Sequence, residues 1–232
     1  LVVNGYADGS KSQIGTCAQD NVVVVEAGTV RLNHVNVLES ATNNLVTTGG
    51  KLYVTESTVT GGNYSVLAQS AGYAELTNTI ITDSVKDGIR VNAADGKVVV
   101  NNVQIVNPVR YGISAEKGAV SLTGALTITD NGKKSNALYA YNGGKITAED
   151  GAKVTISGAQ HGICVDSNAT VNIGNIAISG CAGHAVKMTS GKAVLGGINI
   201  SESGSNNILV SGGELVVNGY ADGSKSQIGA SK

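Results

Sequence analysis

Lys86, Arg110 with Tyr111, Lys133 with Lys134, His161 and His184 follow one another along this chain at nearly regular intervals. If each falls at the same point of a coiled repeat, they form one column of cations with a tyrosine beside it. Arg110 offers a planar fork for a carboxylate or sulfate, and Tyr111 a flat face on which a sugar ring can stack. The alternative reading is a solvated loop edge that keeps the particle soluble, because charge runs commonly face water. Other constellations offer less. Glu149 and Asp150 are sequence neighbours, so strand alternation points them to opposite faces. Asp130 and Asp166 have no evident partner, and no Gly-x-Ser-x-Gly turn supports a Ser, His, Asp triad. Cys17, Cys164 and Cys181 are too few and too dispersed for a disulfide framework or a zinc site. They read as small wall-packing residues, with a Cys164–Cys181 bridge weighed because the two fall in adjacent turns. No cofactor is expected.

The elements that would hold such a column follow from composition. The 232 residues include no Phe and no Trp but 32 Gly, so the core must be narrow enough for Val, Ile, Leu and Ala to fill. A net charge of -1 with both signs scattered gives no electrostatic case for nucleic acid or an anionic membrane surface. No apolar stretch approaches the roughly 20 residues that span a bilayer, so direct membrane insertion of this segment is not expected.

Two repeats organise the chain. The fifteen residues LVVNGYADGSKSQIG at 1–15 return unchanged at 215–229, an offset of 214. Residues 1–214 therefore read as one unit, a single solenoid domain, and residues 215–232 as the start of the next. Within the unit, segments opening TVRLNHVNV, KLYVTESTV, YAELTNTII, KVVVNNVQI, AVSLTGALTI, KITAEDGAKVTI, TVNIGNIAI and KAVLGGINI begin at Thr29, Lys51, Tyr73, Lys97, Ala119, Lys145, Thr170 and Lys192. Their second and fourth residues are apolar, as in Leu52 with Val54 and Val98 with Val100, which is the period of a strand with one buried face. A second pair follows, such as Val103 with Ile105, and a third, such as Ile113 with Ala115. The expectation is an all-β, single-stranded, right-handed parallel β-helix of about ten turns of about 22 residues, three short strands per turn, stacked about 4.8 Å apart.

Asn4, Asn33, Thr55, Thr77, Asn101, Thr123, Gly174, Gly196 and Asn218 mark the bend after the first strand, where Asn and Gly tolerate left-handed backbone and stacked amides bond from turn to turn. Turn length varies chiefly before the third strand, where TDNGKKSNA is longer than its neighbours, and variable edges are where solenoids usually carry function. The Asn-x-Ser/Thr triplets at Asn63, Asn168 and Asn199 read as by-products of Asn- and Thr-rich strands.

The 22-residue turns, the Asn-rich bend and the joins TTGGKLYV and VSGGELVV resemble the right-handed parallel β-helix of pectate-lyase-like proteins and of autotransporter adhesins and other repetitive bacterial surface proteins. The resemblance covers nearly the whole chain. It implies a repeat segment of an exported cell-surface fibre, acting in adhesion or as a stiff stalk that displays an adhesive tip. It also implies secretion and a glycan or protein of a host or neighbouring cell as partner, beside adjacent units of the same chain. The alternative is a polysaccharide lyase or glycoside hydrolase of the same fold. Lyase chemistry would ask Asp83 and Asp87 to hold calcium and Arg110 or Arg90 to act as base. Because acidic residues do not accumulate on adjacent turns, catalysis is the weaker expectation.

Overall fold

The computed structural model describes residues 1–132 and 134–230. The chain is a parallel β-solenoid, and no helix occurs among the described residues. Each turn lays a first and a second strand on one continuous 18-stranded sheet and a third on a separate 9-stranded sheet. The second turn is typical, with Thr29–Asn33, Val35–Val37 and Asn43–Thr47 in succession. In two turns the first and second strands merge into Tyr73–Thr82 and Lys97–Val106.

Alternation makes this possible. In Lys51–Thr55 the chain buries Leu52 and Val54 and turns Lys51 to water, and Thr170–Ile173 does the same with Val171 and Ile173. The inward residues of all three faces join one apolar column, including Val35, Leu76, Ile105, Ile128 and Ile163. Each such side chain contributes roughly 1.5–3 kcal/mol when buried, and only stacking provides the cover. Ile208 and Leu209 remain half-buried and Val210 exposed, because the third strand of the last complete turn has a neighbour on one side only among the described residues.

The unit holds about nine turns, about 23 residues apart, rather than ten of 22. Following the register from Val2 through Arg31, Tyr53, Glu75, Val99, Ser121, Thr147, Asn172 and Val194 to Val216 takes nine steps. The next first-face strand, Glu214–Val217, lies beyond residue 214 except for its opening residue, so it adds no turn to residues 1–214. The second face closes on the same offset, from Gln13 to Gln227. A period of 214 residues is thus a whole number of turns.

The bend lies one residue later than the sequence suggests. At this bend left-handed backbone occurs at His34, Glu56, Asn78, Asn102 and Gly197. Asn33, Thr55, Thr77 and Asn101 stay extended because they still pair with the neighbouring turn. The amide stacking does form: Asn33 Nδ2 donates to Asn4 Oδ1 at 2.9 Å, and Asn102 Nδ2 to Asn78 Oδ1 at 3.2 Å. Cys164 and Cys181 are buried and not joined by a disulfide, since Cys181 packs into the core column while Cys164 points away from it.

Candidate functional site

The third face carries the chemistry. Its strands Tyr64–Ala68, Asp87–Val91, Tyr111–Glu116, Asn136–Tyr141, His161–Val165 and Val186–Met188 stack in register, so that Asp87, Tyr111, Asn136 and His161 form one file. A second file runs Arg90, Ser114, Tyr139, Cys164 and Lys187. Both point away from the aliphatic column because the inward positions are taken by Ile89, Ile113, Leu138, Ile163 and Val186.

The sequence-predicted column divides. Arg110 is held by Asp87, whose fully buried carboxylate accepts Arg110 Nε at 2.7 Å and Arg110 Nη2 at 2.9 Å. The same carboxylate accepts Ser114 Oγ at 2.7 Å and lies 3.4 Å from Arg90, which also pairs with Glu116. Lys86 is exposed, with its ammonium 5.7 Å from the Tyr64 ring centre. Lys134 sits in a separate open groove with Asn107, Pro108 and Asn131, in a loop stapled by Asp130. The Asp130 carboxylate accepts the backbone N–H groups of Gly132, Lys134 and Ser135 at 2.7–2.9 Å, which supplies the partner its sequence context did not reveal. Lys133 lies outside the described residues. The column is therefore an Arg–carboxylate network at one end and an aromatic surface at the other.

Tyr111 and His161 line a groove of about 140 Å³ together with Asn136, Tyr139, Cys164, Asp166, Lys187 and Thr189. The Tyr111 and Tyr139 rings are 4.8 Å apart at 49°, and Tyr139 stacks on Tyr141 at 4.6 Å and 13°. Tyr141 donates its hydroxyl to Glu116 at 2.8 Å, which ties the aromatic surface to the ionic network. His184 stacks against His161 at 5.2 Å and donates its backbone N–H to His161 Nδ1 at 2.9 Å. That bond fixes the neutral tautomer with Nε2 carrying the proton.

The groove keeps its hydroxyls protonated and one carboxylate charged. Burial first, then Tyr111 and Asp166, pushes Tyr139 up to about 12, and burial pushes the Cys164 thiol up to about 12 as well. The Thr189 hydroxyl and hydrogen bonds from Ser167 and Ser190 hold Asp166 below the usual carboxylate range. Burial, followed by Lys187 and His184, pushes His161 below its ordinary 6.5. The unfolded chain therefore takes up the proton first as pH falls. The His161 contribution to stability is complete above pH 6.5 and declines through the window between 6.5 and the lowered folded value. Urea unfolding on either side of that pH should show the decline, and His161→Gln should flatten it.

The calcium arrangement does not form. Asp87 is buried and saturated by Arg110, Arg90 and Ser114, while Asp83 is an exposed corner residue with φ 56°. The Asp87 hydrogen bonds push Arg110 further up, and the nearby Tyr141, Tyr64, Asp87 and Glu116 prevail over burial to raise Arg90, so neither guanidinium is placed to accept a proton. Among the described residues no three His, Cys, Asp or Glu side chains gather in a way that could hold a metal ion.

Tyr139, Lys187 and Thr189 were not singled out by the sequence, which offered Asp166 only as a carboxylate without a partner. The signal was present in NALYAY, where Tyr139 and Tyr141 alternate with buried Leu138 and Ala140. No protein-family model matches the chain, and no curated protein or solved structure matches it. The structure establishes the class: an all-β parallel β-solenoid of about nine turns.

Proposed function

We propose that the chain is a stiff segment of an exported surface fibre whose third face binds a glycan, so that it acts in adhesion. The groove around Tyr139 carries this reading. A tyrosine surface framed by Asn136, His161, Asp166, Lys187 and Thr189 offers a stacking plane beside several hydrogen-bonding groups, the combination that suits a hydroxyl-rich ring with one C–H-rich side. Because Asp87 and Glu116 neutralise Arg110 and Arg90, the ligand is a neutral or weakly acidic saccharide rather than a polyanion. Export and surface display rest on the resemblance of the turns to those of bacterial surface solenoids. Stiffness follows from ladders that run through every turn.

A glycan array at low and physiological salt tests the reading. A specific hit should persist in salt, since stacking and neutral hydrogen bonds are little screened. Tyr139→Ala should cost more than about 2 kcal/mol, roughly thirtyfold in Kd, as for a buried aromatic anchor. A blank array, or a hit indifferent to Tyr139→Ala, would leave the segment a passive stalk.

A further inference from the structure

We propose that the face formed by residues 1–25 docks onto the residue 192–210 face of a second copy of this chain, in the register the chain already displays on itself. Residues 215–229 have the same sequence as residues 1–15. Within the chain, Glu214–Val217 pairs with Lys192–Leu195, setting Val216 opposite Val194, and Gln227–Ile228 pairs with Ile198–Ser201, setting Gln227 opposite Asn199.

The two copies of the motif also share their local shape. Asp8 Oδ1 accepts the Ser10 backbone at 2.9 Å and its hydroxyl at 2.6 Å; Asp222 Oδ1 accepts those of Ser224 at 2.9 Å and 2.7 Å. Tyr6 and Tyr220 each donate their N–H to the serine carbonyl four residues on, at 2.8 Å and 2.9 Å. Ser12 Oγ donates to Asn4 O at 2.6 Å, as Ser226 Oγ does to Asn218 O at 2.5 Å. Residues 1–15 are thus already in the conformation that residues 215–229 adopt on the last complete turn. In a docked pair Val2 takes the place of Val216 and Tyr6 that of Tyr220, whose ring lies where a Cβ on Gly197 would project.

Docking is an exchange, because residues 214–230 occupy the seat. On the first two faces the incoming and resident strands are matched in sequence. On the third face the incoming copy adds a pairing the resident lacks, between Val23–Val25 and Ile208–Val210, the two ends of the 9-stranded sheet. Since 214 residues make a whole number of turns on both paired faces, the second copy continues the solenoid in phase. The joint is the same for separate chains and for consecutive units of one chain, where the link raises the effective concentration. It is independent of the glycan reading.

The test uses the full chain carrying Val2→Cys and Val194→Cys in a Cys17→Ser background. Val2 pairs within the chain with Arg31, and Val194 with Asn172 and Val216, so a disulfide between the two new thiols joins only different copies. Neighbouring strands about 4.8 Å apart fall within disulfide reach. Oxidation should give a ladder beyond dimer on a non-reducing gel, whereas either single variant stops at dimer. Adding Leu215→Asp, which loosens the resident segment and leaves Leu1 intact, should strengthen the ladder. A double variant that keeps its β circular dichroism yet links no further than the single variants overturns the proposal, as does a ladder unmoved by Leu215→Asp.

Discussion

Gly144→Ala is expected to divide the unfolding of the solenoid into two transitions. Gly144 is buried where one turn passes closely over the previous one, and a Cβ there would fall inside the van der Waals shell of the Ala115 carbonyl oxygen. Backbone cannot yield as a flexible side chain does, so the turns must part. The cost should reach about 3 kcal/mol or more, the upper range for overpacking. A solenoid's stability is close to a sum of nearest-neighbour terms, so weakening one junction lets the halves melt separately. Gly143→Ala is the control. Gly143 has φ 80° and nothing within 4 Å of its added Cβ, so alanine there meets only left-handed strain of roughly 1–2 kcal/mol. Differential scanning calorimetry should show a split endotherm for Gly144→Ala and a single shifted one for Gly143→Ala. A single, little-shifted endotherm for Gly144→Ala would contradict the close stacking of turns.

Asp87→Ala should be the other severe lesion. It leaves Ser114 Oγ buried without its acceptor and two guanidinium groups without their shared anion. Breaking a buried pair costs about 3–5 kcal/mol, but Arg110 is 39% exposed and can turn to water, so the lower end of that range is expected. Asp87→Asn keeps oxygen and size while losing the charge, and should cost about half as much, since hydrogen bonds to charged groups are worth roughly twice neutral ones. Urea midpoints of the two variants check this. Equal midpoints for Asp87→Ala and the parent chain would mean that the network adds no stability.

The strands were legible because each turn must bury the same few aliphatic positions, and Leu52, Val100 and Ile178 announce them by alternation. The corners were less so. Asn33 and Thr77 look like bend residues by type, but ladder pairing keeps them extended and passes the bend to His34 and Asn78. The candidate site was half legible. Residue type and spacing placed Tyr111, His161 and His184 on one side of the coil. Spacing could not show that Asp87, one turn before Arg110, points its carboxylate at the guanidinium, because that depends on which side chains face outward in the third strand. For the same reason Tyr139 and Lys187 were not legible: they lie within the third strand, whereas the regular spacing of cations marks the loop before it.

The most direct test of the recognition surface is NMR of the chain with ring-labelled tyrosine, titrated with the oligosaccharide that the array selects. The eight tyrosines sample several surfaces. Signals of Tyr111 and Tyr139, which line the groove, should move together and saturate with one Kd, with Tyr141 following through its stack on Tyr139. Tyr53 and Tyr73 on the first face, and Tyr6 and Tyr220 in the duplicated loops, should stay still. Movement confined to those four, or none anywhere at saturating ligand, would contradict a glycan site on the third face.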